Sequence, residues 1–228
     1  MNETVDNMWD GDRFCSDLTS RLITVLANER NSAALAMAVT ECASAAESTC
    51  RGRLMACTAG CPHCCVLNVA ILLPEGMIIA EWLKARLLPS ELHDVQKRLK
   101  DHRSMTRWVD DEERITKRMI CPLLDATGHC IIHPVRPLAC RSVASLDSNS
   151  CREAFSPIIT DEVRLVLSDL LRKAAYDEGF TALVKALGYY GLDDRSIDLG
   201  AGVMAFLDQP QYRELFLGGM RLPDELWQ

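Results

Sequence analysis

Four thiols fall within the nine residues Cys57-Thr-Ala-Gly-Cys61-Pro-His-Cys64-Cys65, spaced C-x3-C-x2-C-C, and no other feature limits the fold of this chain so tightly. A second thiol-rich stretch follows: Cys121-Pro-Leu-Leu-Asp-Ala-Thr-Gly-His-Cys130, then Cys140 within Arg136-Pro-Leu-Ala-Cys140-Arg141, then Cys151. Thiolates bind soft or borderline metals, and four sulfurs complete a zinc site or an iron–sulfur site. The spacing Cys61-x2-Cys64 lets two sulfurs converge because the turn between them closes on itself. The two stretches are therefore expected to fold against each other around metal, with the remaining chain as helical scaffolding.

The compartment decides how the eleven cysteines are read. No segment approaches the roughly 20 apolar residues a membrane-crossing helix needs. The acidic N-terminus lacks the layout of a signal peptide. These readings put the protein in the cytoplasm, where clustered cysteines serve as metal ligands more often than as disulfides. The odd count also argues against a fully paired disulfide framework. A net charge of −7 provides no basic surface for phosphate backbones, so nucleic acid is not an expected partner.

Cys57, Cys61, Cys64, Cys65, Cys121, Cys130, Cys140 and Cys151 are the expected metal ligands. They suffice for two four-sulfur sites, or for one cluster with spare thiols beside it. The side chains of the vicinal Cys64 and Cys65 should diverge, one toward a metal and the other toward a second site or the core. Cys-Pro steps at Cys61-Pro62 and Cys121-Pro122 are common beside iron–sulfur ligands. Arg136 and Arg141 bracket Cys140 and are read as cofactor-binding residues whose guanidinium groups offset thiolate charge, against the alternative of surface ion pairs. His63, His129 or His133 could each replace a cysteine as ligand.

Around these segments the pattern is mainly α. Phe14, Leu18, Leu22, Val25 and Leu26, then Leu35, Val39, Cys42 and Ala46, recur at helical steps, with a break near residues 28–32. Cys15 and Cys42 fall on these stripes as core residues. Pro74-Glu75 opens a helix through Leu87 and Pro89-Ser-Glu91 opens another. The mixed charges from Glu91 to Arg118 read as a solvated helical hairpin face. Residues 121–157 carry five prolines or glycines and no sustained helical period, so metal would have to order them. Helices are expected at about 160–177, 178–187, 197–208 and 210–217, before a loosely packed end. The resulting plan is N-terminal helices over 1–56, a cysteine-cluster region over 57–157 and a C-terminal helical region over 158–228, together one compact domain around an irregular metal-binding core.

The combination of C-x3-C-x2-C-C, Glu75, Cys121-Pro-Leu-Leu, Gly128-His-Cys130, His133-Pro-Val-Arg136-Pro-Leu-Ala-Cys140-Arg141 and Cys151 resembles the CxxCxxCC (YkgJ-like) family. The resemblance runs over about residues 57 to 151 and implies a zinc- or iron-chelating domain, often described as iron–sulfur, marked by eight cysteines. The first spacing is one residue wider than the family name, which leaves Cys50 as an alternative to Cys57.

The leading functional expectation is a cytosolic protein with a thiolate-bound iron–sulfur cluster of the 4Fe–4S type. It would serve electron transfer, redox sensing or cluster-dependent chemistry with a redox or other protein partner. The alternative is a zinc-stabilised interaction module without catalysis. A third reading is a methyltransferase, since flagellin lysine methylases carry a similar cysteine domain and Ile197-Asp-Leu-Gly-Ala-Gly202 looks like a nucleotide-fold glycine turn. That turn lacks the strands such a fold requires, so packing between helices explains its small residues better. A nucleophilic Cys140 beside Arg141 accounts for one thiol, whereas metal accounts for the set.

Overall fold

The computed structural model describes residues 9–157 and 165–227. Most of the N-terminal segment expected to fray, residues 160–164 of the helix expected at 160–177, and Gln228 lie outside the described residues; residues 165–169 are not helical, Ser168 being bridged to Ser145, and that helix starts only at Leu170. Ten α-helices and one two-stranded sheet supply the regular structure of the described residues, so the protein is mainly α.

A three-helix layer forms first in sequence logic. Helix α1 (Gly11–Ala27) starts where the Asp10 side chain accepts the Arg13 N–H at 3.0 Å, and α2 (Ser32–Thr49) starts where Asn31 accepts the Ala34 N–H at 2.9 Å. The break between them falls at residues 28–31, as the periodicity indicates. Cys15, Leu18, Leu22 and Leu26 on α1, and Leu35, Ala38, Cys42 and Ala46 on α2, are buried. Helix α8 (Leu170–Tyr189) closes the layer against both, burying Ala175, Tyr176, Ala182, Leu183, Ala186 and Leu187.

A second layer carries the cysteine segments. Strand β1 (Ala70–Leu72) pairs antiparallel with β2 (Ser196–Asp198), in register Ile71 to Ile197. Each strand runs straight into a helix, β1 into α3 (Leu73–Arg86) and β2 into α9 (Leu199–Asp208). These helices cross at bare backbone. A Cβ on Gly76 would stand 2.9 Å from the Gly202 carbonyl, and one on Gly202 would stand 2.8 Å from Ile71. The small residues of the Ile197–Gly202 motif thus serve packing, because only glycine permits so close an approach. Helix α4 (Pro89–Thr106) covers α9, and α5 (Asp111–Thr116) follows it.

Several expectations are corrected. Residues 91–118 are not wholly a solvated face: Arg114 is buried and donates to the carbonyls of Thr106 and Val109, closing the α4–α5 turn. Residues 121–157 contain two short helices, α6 (Leu138–Ser142) and α7 (Ser148–Ala154). No break occurs near residue 178, since α8 runs on through Gly179 and Gly188; its buried face outweighs the helix cost of glycine. The end beyond α10 (Gln211–Leu217) is tied down rather than loose. There Leu222 is buried, its N–H donates to Asp193, and its carbonyl accepts from Arg195 at 2.7 Å.

Candidate metal centre

The first cysteine segment is a chain of tight turns. Gly60 holds a left-handed backbone at φ +82°, letting the Cys61 N–H fold back to the Thr58 carbonyl at 3.2 Å. A single 3-10 turn over His63–Val66 then presents Cys64 and Cys65, anchored below by buried Val66.

The second segment is a small hairpin. Asp125 accepts the Thr127 and His129 N–H groups, and Gly128 takes φ +84°. The turn brings Cys130 back beside Leu124 as an antiparallel bridge, with Cys121 three residues before it. Leu123, fully buried, fixes the hairpin to the core. The chain next enters α6, which carries Cys140. Buried Glu75 orients that helix: one carboxylate oxygen accepts the Leu138 N–H at α6's first turn (2.7 Å), and the other accepts the Leu72 N–H ahead of α3 (2.8 Å). The two cysteine segments are joined directly by the Cys121 N–H donating to the Cys65 carbonyl at 2.7 Å.

Six of the eight expected ligands line one cavity of about 160 Å³: Cys61, Cys64, Cys65, Cys121, Cys130 and Cys140. Cys57 and Cys151 stand apart from it. Both touch Ser145, whose N–H donates to the Cys57 sulfur at 3.4 Å and which hydrogen-bonds to the Cys151 thiol. Cys57 is exposed and Cys151 is buried. Cys50, the alternative to Cys57, closes the end of α2 and lies among Arg172, Asp169, Glu47 and Arg53 rather than among sulfurs. Among the described residues, no three His, Cys, Asp or Glu side chains are grouped so that they could hold a single ion. The sulfurs ring a space instead of converging on a point.

The electrostatics follow from burial. Removal from water pushes Cys121 up to about 11 and raises Cys130, Cys140 and Cys151 as well. Cys64 is the exception. The Cys65 S–H donates to it and Arg136 lies near, so Cys64 falls to about 7 while Cys65 is driven up. Burial thus favours the neutral thiol at Cys121, Cys130 and Cys140, and a metal that binds them has to displace their protons.

The expected cation pair divides. Arg136 lines the cavity and lowers Cys64, Cys130 and Cys140, and its Nε has no hydrogen-bond partner. Arg141 instead donates to the carbonyls of Arg136 and Pro134, so it shapes the loop and does not line the cavity. Of the three candidate histidines only His133 lines it; His129 packs its ring against Gly60 outside, and His63 is not on the wall.

Two lining residues escape sequence reasoning. His102 is hidden in the charged run of α4, and Asp198 arrives only through the β1–β2 pairing. Burial keeps His102 below its ordinary pKa, its ring is held by the Met119 backbone, and its Nε2 has no partner. A lone histidine in a charged helix carries no signal that would have marked it.

Residues 56–157 match the model of the CxxCxxCC family, described as "Putative zinc- or iron-chelating domain". This is the family that the two cysteine motifs resemble, and the match supports metal binding by this segment. No curated protein and no solved structure matches the chain.

Proposed function

We propose, from the premise that residues 56–157 are a metal-chelating domain, that the cysteine cavity holds an iron–sulfur cluster for electron transfer, redox sensing or cluster-dependent chemistry. The observation that carries this reading is the shape of the donor set. Six thiols from two segments surround a space of about 160 Å³, whereas a single water needs only about 10–15 Å³ on the same measure. A lone zinc ion asks four sulfurs to close to roughly 2.3 Å around it and has no use for such a space.

The chain's own residues suit a buried anionic group. Cys64, Cys121, Cys130 and Cys140, which lie among one another on the wall with Cys65 beside them, are the candidates to hold it. Arg136 supplies the positive charge that steadies thiolates, and Leu124, Ile132 and Val69 on the wall keep water from the sulfurs. When bound, the cluster would supply one-electron redox chemistry. The reducing conditions such thiols require fit a cytoplasmic setting.

Anaerobic purification of the full chain, with iron, sulfide and zinc analysis and an absorption spectrum, tests the reading. Iron with matching sulfide and a visible band that bleaches on reduction is the expected result. Colourless protein containing zinc alone would replace it with a zinc-stabilised interaction module.

A further inference from the structure

The end of α4 and the C-terminal tail enclose a second hollow, of about 500 Å³, in which no cysteine takes part. We infer that it binds a small molecule built from a flat aromatic ring bearing an anionic group. Binding there does not depend on the metal; the ligand's use as substrate of cluster-dependent chemistry rests on the function proposed above.

The shape is a slot. Its floor is one face of the two-stranded sheet, where Ala70 pairs with Asp198 and Ser196 lies two residues away on the same side. Ala70 and Ser196 are small and exposed, so the strands leave room above them. One wall is the end of α4 with Arg103, Arg107 and Trp108, and the other is the 3-10 turn Asp224–Trp227. Arg103 ties the walls together by donating to the Leu226 carbonyl at 2.8 Å. Trp227 is pinned: its indole N–H donates to the Ser196 carbonyl at 2.6 Å, and Arg195 lies 3.8 Å over its ring. Trp108 is the opposite case, 83% exposed, with the Arg107 guanidinium 5.0 Å from its ring. An indole left so open offers a face on which a flat ring can stack.

Charge selects an anion. Arg103, Arg107 and Arg114 line the slot against Asp110 and Asp198, an excess of positive charge in a chain whose net charge is −7. Both aspartates already accept helix N–H groups, Asp110 from Glu113 at 2.9 Å and Asp198 from Ala201 at 3.1 Å. Arg107 makes no ion pair among the described residues, so its planar fork of donors is left to grip an anion beside a ring stacked on Trp108. The position gives the slot its use. Asn68, Arg114 and Asp198 line both it and the cysteine cavity, so a single layer of side chains divides a ligand from the candidate metal centre.

The test titrates the full chain, purified anaerobically, with adenosine monophosphate and benzoate as ring-bearing anions. Adenosine and benzamide serve as the rings without charge, and inorganic phosphate as the anion without a ring. Two of the four tryptophans line the slot, so quenching of tryptophan fluorescence reads binding in the wild type, and calorimetry gives affinities for the variants. At least one ring-bearing anion is expected to quench and to bind about tenfold or more tightly than its neutral counterpart and than phosphate. Trp108→Ala and Arg107→Ala should each weaken that ligand about tenfold. Both side chains are exposed, so the variants should keep the wild-type circular dichroism. No binding of either ring-bearing anion at millimolar concentration overturns the inference. So does binding that survives both substitutions, or phosphate binding as tightly as the ring-bearing anions. Metal analysis of the same preparation keeps the two readings apart. Ligand binding by a chain without metal would leave the slot and remove the cluster, and a loaded chain that ignores both anions would do the reverse.

Discussion

Glu75 shows how one buried side chain can govern a distant site. Its two oxygens cap different helices, and one of those helices carries Cys140. Burial lifts its carboxyl to about 7 from an ordinary 4.5, although the two N–H donors and Arg141 pull the other way. Between these values the folded chain retains a proton that the unfolded chain has lost. Its contribution to stability is therefore full below about pH 4.5 and is lost as pH rises through 7, a difference of about 3 kcal/mol. Glu75→Gln cannot titrate and leaves one N–H without an acceptor, at a cost of about 1–3 kcal/mol. Thermal melts across pH 5 to 8 should show the variant less stable at pH 5 and with a flatter pH response than the wild type. An unchanged slope would refute this role. Asp193 behaves in the opposite sense. Burial would raise it, but the Arg195 guanidinium at 2.6 Å and the Leu222 N–H hold it below the usual carboxylate range. The stability it provides is present above about pH 4 and lost as pH falls through its lowered value. Asp193→Ala should cost about 3 kcal/mol and raise hydrogen exchange at Leu222, since the tail loses its anchor.

Among the elements, the α3–α9 crossing is the least tolerant of change. Gly202→Ala would press a methyl group onto Ile71 and Ile197 and should destabilise by about 1–3 kcal/mol, read as a lower denaturant midpoint. The same crossing explains what could be read from the sequence and what could not. The glycines of the 197–202 motif were legible as packing residues, because their flanks excluded a nucleotide-binding sheet. The stripes of α1 and α2 were legible because each buries one face. The β1–β2 pair was not, since three-residue strands hold too little alternation to register. That pairing is what delivers Asp198 to the cavity, so a missed element became a missed wall residue. The cysteines marked the segment that the family model matches, because ligand spacing is local chemistry. Their grouping depends on how the turns at Gly60 and Gly128 fold, which spacing does not encode.

At the scale of the molecule, the two layers differ in what orders them. The layer of α1, α2 and α8 rests on continuous apolar stripes, while residues 121–157 have only short helices, a hairpin and side-chain caps. Stripping the metal with a chelator should therefore leave most far-UV helicity intact while opening residues 121–157 to proteolysis. A cooperative loss of all helicity would show that the layers do not separate in this way. The hydrogen bond from Cys121 to the Cys65 carbonyl adds a further consequence. It uses peptide groups alone and needs no inorganic component, so this one rivet between the two cysteine segments would stay closed even while residues 121–157 loosen around it, and a donor refilling an emptied copy would meet both halves already side by side.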